Sequence, residues 1–186
     1  MESLDTDRVI GRCVDGEDRA WRDLHRSHYP VAVCFLRRLG IPEAELDDAC
    51  QEVFVQVFRY LARFERRAEF RTWLFKLCLS QASRMRRRRR IRQALEWLLG
   101  HEAAVHAGAV QPGWSDDATA RRAGQVLDRM KSIHREVFVL FELEGLDGEE
   151  IARILRCPPA TVRRRLHYAR AEFESLLREG TEEGES

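Results

Sequence analysis

The 186-residue chain has no apolar run approaching the ~20 residues that span a bilayer; Val31 to Leu36 is typical of its longest. No membrane insertion is expected. The opening MESLDTDRVIG is acidic and has no apolar signal core, which predicts no secretion signal and a cytoplasmic protein. Five cysteines (Cys13, Cys34, Cys50, Cys78, Cys157) are odd in number and scattered among apolar neighbours. They argue against a disulfide frame and for reduced, mostly buried thiols. No CxxC and no Cys/His cluster of zinc spacing occurs, so a redox or metal sensor is disfavoured. No Ser/His/Asp, Cys/His or paired-carboxylate set lies in a loop or glycine-rich context, and no catalytic site is expected. His25 and His28 fall within a helical pattern, and His101 and His106 in a linker. Strand-like alternation bounded by turns is missing as well, and no internal repeat is evident. What remains is an all-α protein.

Apolar spacing predicts helices near 4–14, 17–39, 43–64 and 70–92, the second kinked or divided at Pro30. In the third, Leu46, Cys50, Val53, Val57, Leu61 and Phe64 make one stripe. Two more helices are predicted over 118–132 and 134–144, after which Asp147-Gly-Glu-Glu150 has the pattern of a capping box. The helix it opens, with Ile151, Ala152, Ile154 and Leu155, is stopped at Cys157-Pro158-Pro159 because prolines cannot continue the ladder. A second helix restarts at Ala160-Thr161 and buries Val162, Leu166, Ala169, Phe173 and Leu176. Its far side carries Arg163, Arg164, Arg165, His167, Tyr168 and Arg170. Two helices joined by a tight turn, the second basic outward, describe a helix-turn-helix whose second helix enters the DNA major groove. A helical hairpin with a solvated charged face is the plainer alternative. The organisation predicted is a first helical domain over 1–95, a flexible linker over 96–117 and a second helical domain over 118–180.

The net charge of +1 conceals an uneven distribution. Residues 57–93 carry 13 basic and 2 acidic side chains, and residues 121–171 carry 11 and 7. Between them, residues 94–120 have no Lys or Arg and four acids, Glu96, Glu102, Asp116 and Asp117. Two basic blocks suggest two salt-dependent contacts to nucleic acid. The first block ends in Arg86–Arg90 plus Arg92. Such a run can be a disordered tail or an import-like patch, but here it continues an amphipathic helix that opens with Phe70, Trp73, Leu74, Leu77 and Cys78. Arginine's planar fork suits phosphate, so the run is read as a track along the DNA backbone. Asp47, Asp48, Gln51 and Glu52 make an acidic-polar patch beside the stripe of the third helix.

In this order, LDDACQEVFVQVFRYL, FRTWLFKL with its arginines, a linker, EGLDGEEIARIL and ATVRRRLHYAR resemble a bacterial RNA polymerase sigma factor of the extracytoplasmic-function (ECF) group. The resemblance covers roughly 18–92 and 120–178. It implies no catalytic site and no cofactor, and as partners core RNA polymerase, promoter DNA and an anti-sigma protein that holds the factor inactive. Carried over by position, Asp47, Asp48, Gln51 and Glu52 match the polymerase-binding segment. The loop Phe64 to Glu69 matches one that captures a flipped base of the minus-ten element, with Arg66, Arg67 and Arg71 as nearby cations. Ser80, Arg84, Arg87 and Arg88 lie in the minus-ten DNA segment. Thr161, Arg163, Arg164, Arg165, His167 and Tyr168 match the minus-thirty-five contact, with Arg165 and Arg170 at its flanks, touching phosphates or acids within the domain.

Some positions depart from the family pattern. Ser80 and Arg84 stand where relatives usually have Asn and Asp, Arg164 replaces a small residue, Tyr168 a basic one and Lys131 a proline. These bear on promoter choice rather than on class. A stand-alone helix-turn-helix regulator would explain the second domain but leaves the acidic patch, the Trp73 helix and the arginine run unexplained. For the linker two readings stand side by side: an acidic phosphate mimic occupying a basic groove of polymerase, or a passive tether.

Overall fold

The computed structural model describes residues 2–65, 68–98 and 118–182. The linker reading for 96–117 therefore lies outside the described residues, apart from the helical backbone of 96–98. Among the described residues there are eight α-helices and no strand. None of these helices is long and apolar enough to cross a membrane. The helices are α1 Glu2–Val14, α2 Asp18–Arg38, α3 Glu43–Tyr60, α4 Phe70–Leu98, α5 Ala118–Arg129, α6 Ser132–Phe138, α7 Gly148–Leu155 and α8 Pro159–Glu182. Two compact units result: 2–37 with 44–65 and 68–98, and 38–43 with 118–182.

In the first unit, the stripe read from the third helix is buried from Leu46 through Cys50, Val53, Val57 and Leu61, joined by Ala49. It meets Leu24, Ala32, Phe35 and Leu36 of α2 and Leu74, Phe75 and Cys78 of α4 in one buried core, where Phe35 stacks on Phe75 with ring centroids 4.2 Å apart. Helix α2 is not divided at Pro30, which sits inside it on the exposed side. The missing N–H there removes one ladder bond, a loss the flanking packing of Leu24 and Ala32 tolerates. Two expected boundaries shift. Helix α3 stops at Tyr60, and Leu61–Arg63 tighten into a single 3-10 turn before Phe64 turns extended. Helix α4 runs on past 92 to Leu98, through residues that are mostly strong helix formers.

The second unit is organised around α8, which packs against α5, α6 and α7. Val126, Leu127, Val137, Val139, Leu140, Ile151, Val162 and Ala169 are buried there. Phe138 stacks on Phe173 at 4.6 Å. Arg135 is a buried charge with a structural use: its Nη2 donates to the carbonyls of Asp128 (2.6 Å) and Met130 (3.1 Å). It thereby satisfies acceptors that the end of α5 leaves open. The helix expected to reach 132 ends at Arg129, and the one expected over 134–144 becomes α6 followed by a π turn at Val139–Leu143. Gly145, at φ +71°, then reverses the chain.

The helix-turn-helix forms as its sequence dictates. Asp147 accepts from the Glu150 amide at 2.8 Å, and Glu150 accepts from the Asp147 amide at 3.3 Å, a complete capping box. Cys157 precedes Pro158 and is thereby driven out of the α region. Arg156 caps α7 in the left-handed conformation at φ 51°, and Pro159, with its φ already set, opens α8.

Candidate functional site

Three exposed surfaces carry the residues singled out from the sequence. The first lies on α2 and α3. Asp47, Asp48, Gln51 and Glu52 are all exposed, and Asp47 in addition accepts a hydrogen bond from the Tyr29 hydroxyl at 2.9 Å. Burial and that bond push the Tyr29 hydroxyl up to about 12, so Tyr29 remains a donor throughout the physiological range. Next to this pair, Trp21, His25 and Tyr29 follow one another at i, i+4 and i+8 on α2. They meet Phe54 and Phe58 of α3, and together these side chains line a groove of about 700 Å³. Trp21 and Phe58 approach to 4.9 Å and His25 and Phe54 to 4.6 Å. Trp21 is fixed by its Nε1, which donates to the Cys13 carbonyl at 3.1 Å. Phe58 stays 66% exposed.

Sequence reasoning missed this groove. Its signal was present as a second spacing on α3, Gln51, Phe54 and Phe58, beside the buried stripe. The aromatic repeat on α2 matches it. The groove joins an apolar floor to a charged rim of Asp18, Arg22 and Arg26, the usual make-up of a reversible protein interface.

The second surface runs along α4. Phe64 joins Phe70 and Trp73, with ring centroids between 5.2 and 5.9 Å, and His28 closes on the Phe70 edge at 4.7 Å. Arg71 lies in the first turn with its guanidinium over the Phe75 ring at 5.2 Å. Arg66 and Arg67 lie outside the described residues. Ser80, Arg84, Arg87 and Arg88 are all exposed and share one face of α4 by helical register, whereas Arg71 lies half a turn away. The arginine run is divided. Arg87, Arg88, Arg90 and Arg92 are exposed, but Arg86 and Arg89 are half-buried. Arg89 pairs with Glu45 of α3 at 2.8 Å, so its charge is partly spent within the unit.

The third surface is the outer side of α8. Arg163, Arg164, His167 and Tyr168 are exposed, while Thr161 and Arg165 are half-buried. Arg170 is committed inside the unit: its Nε donates to Glu142 at 2.6 Å, and its guanidinium lies 5.4 Å above the Phe141 ring. Of the two contacts expected for Arg170, phosphates or acids within the domain, the structure shows the second. Tyr168 lies between two imidazoles, His134 of α6 at 6.2 Å and nearly parallel, and His167 at 5.5 Å edge-on. His134 contacts Glu172 through Nδ1, and the other oxygen of Glu172 accepts from the Lys131 amide at 3.0 Å. Part burial pushes the Glu172 carboxyl up, but Lys131 and His134 outweigh it and hold it below the ordinary range. Among the described residues no three His, Cys, Asp or Glu side chains are grouped to hold a metal ion.

The two units match two family models in chain order: Sigma-70 region 2 over residues 24–92 and Sigma-70, region 4 over residues 120–173. RNA polymerase sigma factor CnrH of Cupriavidus metallidurans is 32% identical over 185 residues, covering 95% of this chain and 97% of that one. The ECF RNA polymerase sigma-E factor of Haemophilus influenzae is 26% identical over 184 residues, 95% of this chain and 97% of that one. Among solved structures, CnrH in complex with the cytosolic domain of CnrY is 27% identical with a TM-score of 0.63, covering 91% of this chain and 94% of that one. The fold also matches the sigma factor RpoE of Bartonella quintana, solved with the anti-sigma factor NepR, at a TM-score of 0.70 and 21% identity over 84% of this chain and 96% of that one. Likeness over nearly the full length of these relatives, in both units and in the same order, makes the chain a member of the ECF family of RNA polymerase sigma factors, which direct promoter-specific transcription initiation.

Proposed function

We propose that the first unit docks on core RNA polymerase through Asp48, Gln51 and Glu52 together with the aromatic groove of Trp21, His25, Tyr29, Phe54 and Phe58, with Asp47 holding α2 and α3 in register. On this reading the half-buried Phe64 and Trp73, backed by the buried Phe70, receive an unstacked base of the minus-ten element. Unstacking costs a few kcal/mol, and aromatic faces offset that cost by stacking. Arg84, Arg87 and Arg88, aligned with Ser80, follow the adjacent strand, with Arg66, Arg67 and Arg71 as further cations. Arg163, Arg164, His167 and Tyr168 read the minus-thirty-five element, and Thr161 and Arg165 support them from the half-buried flank. The first domain, 1–95, thus carries docking and melting, 96–117 links, and 118–180 recognises the upstream element. The protein acts in the cytoplasm, is not an enzyme, and is kept inactive by an anti-sigma protein. The relatives solved with NepR and with the cytosolic domain of CnrY support that last part.

The observation that carries the reading is the exposed aromatic groove of α2 and α3, with Gln51 on the α3 face that carries Phe54 and Phe58. A stand-alone helix-turn-helix regulator has no use for it. Reversing charge at Asp48 with replacement of Gln51, and separately Phe58→Ala, should each abolish or sharply weaken holoenzyme assembly in native gels while leaving helical content intact. Normal assembly by both variants would refute the docking assignment. Specific DNA binding with no affinity for core polymerase in the wild type would favour the regulator.

A further inference from the structure

Tyr168 is 54% exposed on α8, where a tyrosine normally samples more than one rotamer. Here His134 lies beside it, the two rings nearly parallel and offset with centroids 6.2 Å apart. That imidazole is not itself loose. Nδ1 is held by Glu172, one helical turn beyond Tyr168 on the same side of α8, and the same carboxylate accepts from the Lys131 amide at the start of α6. Carboxylate, imidazole and phenol thus form a chain in which each group limits the freedom of the next. No sequence pattern announces it, since Lys131 and His134 precede Tyr168 by more than two dozen residues.

We propose that His134 and Glu172 are positioning residues for promoter recognition: Glu172 sets the imidazole, and the imidazole face holds the Tyr168 ring in the one orientation that meets its DNA partner. This rests on the reading of Tyr168 as an upstream-element contact. His134 and Glu172 act through Tyr168 and do not themselves touch DNA. Their effect is on preference at the single position that Tyr168 reads, because a ring that must be ordered on binding discriminates less than one already ordered.

The test uses full-length protein reconstituted with core polymerase, in run-off transcription across a promoter library randomised through the upstream element. Tyr168→Ala identifies the position that this ring reads. His134→Gln keeps a hydrogen-bond donor to Glu172 but removes the ring face, whereas His134→Phe keeps a ring face and loses the donor. The expected result is that His134→Gln and Tyr168→Ala shift preference at the same position by roughly two- to tenfold, the scale of one aromatic contact. The double variant should shift it no further, and His134→Phe, which keeps a ring face but loses the Glu172 anchor, should fall between His134→Gln and wild type. Arg129→Ala, which breaks the Arg129–Glu179 pair between α5 and α8, serves as the control for mere loosening and should leave preference unchanged. If Tyr168→Ala alters one position but His134→Gln does not, the positioning role is refuted and recognition by Tyr168 stands; His134→Phe equal to wild type refutes the part given to Glu172, and His134→Phe equal to His134→Gln refutes the part given to the ring face. If Tyr168→Ala alters no position, the recognition reading fails and the positioning role with it.

Discussion

Replacing Arg87 and Arg88 together by alanine separates backbone attraction from every structural use of the arginine run. Both side chains are exposed on α4, on the face shared with Ser80 and Arg84. Each phosphate that is no longer neutralised reduces the slope of log affinity against log salt by about 0.9 on duplex DNA and by about 0.7 on single strands. Removing both arginines therefore flattens the slope by about 1.4–1.8. Raising salt fourfold, from about 50 to about 200 mM, should then cost wild-type holoenzyme about seven- to twelvefold more affinity than the variant, over the weakening common to both. Arg89→Ala is the internal comparison. Its guanidinium already pairs with Glu45 at 2.8 Å, the two side chains being 30% and 38% exposed. A pair that exposed is worth at most ~1 kcal/mol, so this change should slightly loosen the α3–α4 packing and move the salt slope by less than one neutralised phosphate does. Fluorescence anisotropy of holoenzyme on two unrelated promoters, over a salt series, reads both quantities. The division of the run into free and paired arginines is wrong if Arg89→Ala flattens the slope as much as Arg87→Ala. The backbone role is wrong if the double variant changes the ranking of the two promoters.

Three further outcomes are expected. Asp147→Ala removes the capping box and should cost ~1 kcal/mol locally, seen as faster hydrogen exchange at Ile151 and Ala152; unchanged exchange would mean that α7 is held by packing alone. Burial pushes the Cys13 thiol to about 11 and the Cys50 thiol to about 12. Native protein at pH 8 should therefore alkylate at the half-buried Cys34 and Cys157 long before Cys13, Cys50 or Cys78, with mass mapping as the readout. The acid limb of stability has two opposed contributors in the second unit. Glu172, held below its ordinary value near 4.5, stabilises above that value, and the contribution is lost as pH falls through its depressed one. Asp128 is raised above its ordinary value near 3.8 by burial, which Arg135 only partly offsets, so it favours the folded state as pH falls. Glu172→Gln should thus flatten the loss of stability below about pH 4.5 and Asp128→Asn should steepen it, as followed by urea melts at stepped pH; the reverse order would overturn both assignments.

What could be read in advance was whatever the chain decides locally. The periodic stripes of α3 and α8, the capping box at Asp147, the stop at Pro158 and the helical character of the arginine run each depend on residues within a few turns of one another. Helix ends were less legible because they answer to tertiary demands. Helix α3 yields to a 3-10 turn at Leu61, and Phe64 then joins Phe70 and Trp73. The segment after Phe138 widens into a π turn, and Phe141 and Glu142 there engage Arg170. The aromatic groove escaped notice for a different reason. Its two walls come from α2 and α3, and neither aromatic spacing reads as a site until the helices lie side by side.

The sharpest limit concerns charge, because adjacent residues on a helix point about 100° apart. Asp47 and Asp48 are equivalent in a charge count and both exposed, yet only Asp47 reaches α2, where it accepts from Tyr29. Arg88 and Arg89 divide in the same way, one exposed and one paired with Glu45. On α8, Arg163 and Arg164 face outward, while Arg170, two turns on, is committed to Glu142. A block of 13 basic residues therefore overstates what the first unit can offer to DNA, since some of those charges bind the unit together. The surplus still has a use. The Arg89–Glu45 pair ties α4 to α3, and on the proposed reading it leaves Arg84, Arg87 and Arg88, aligned along one face of α4, as the charges offered to the phosphates.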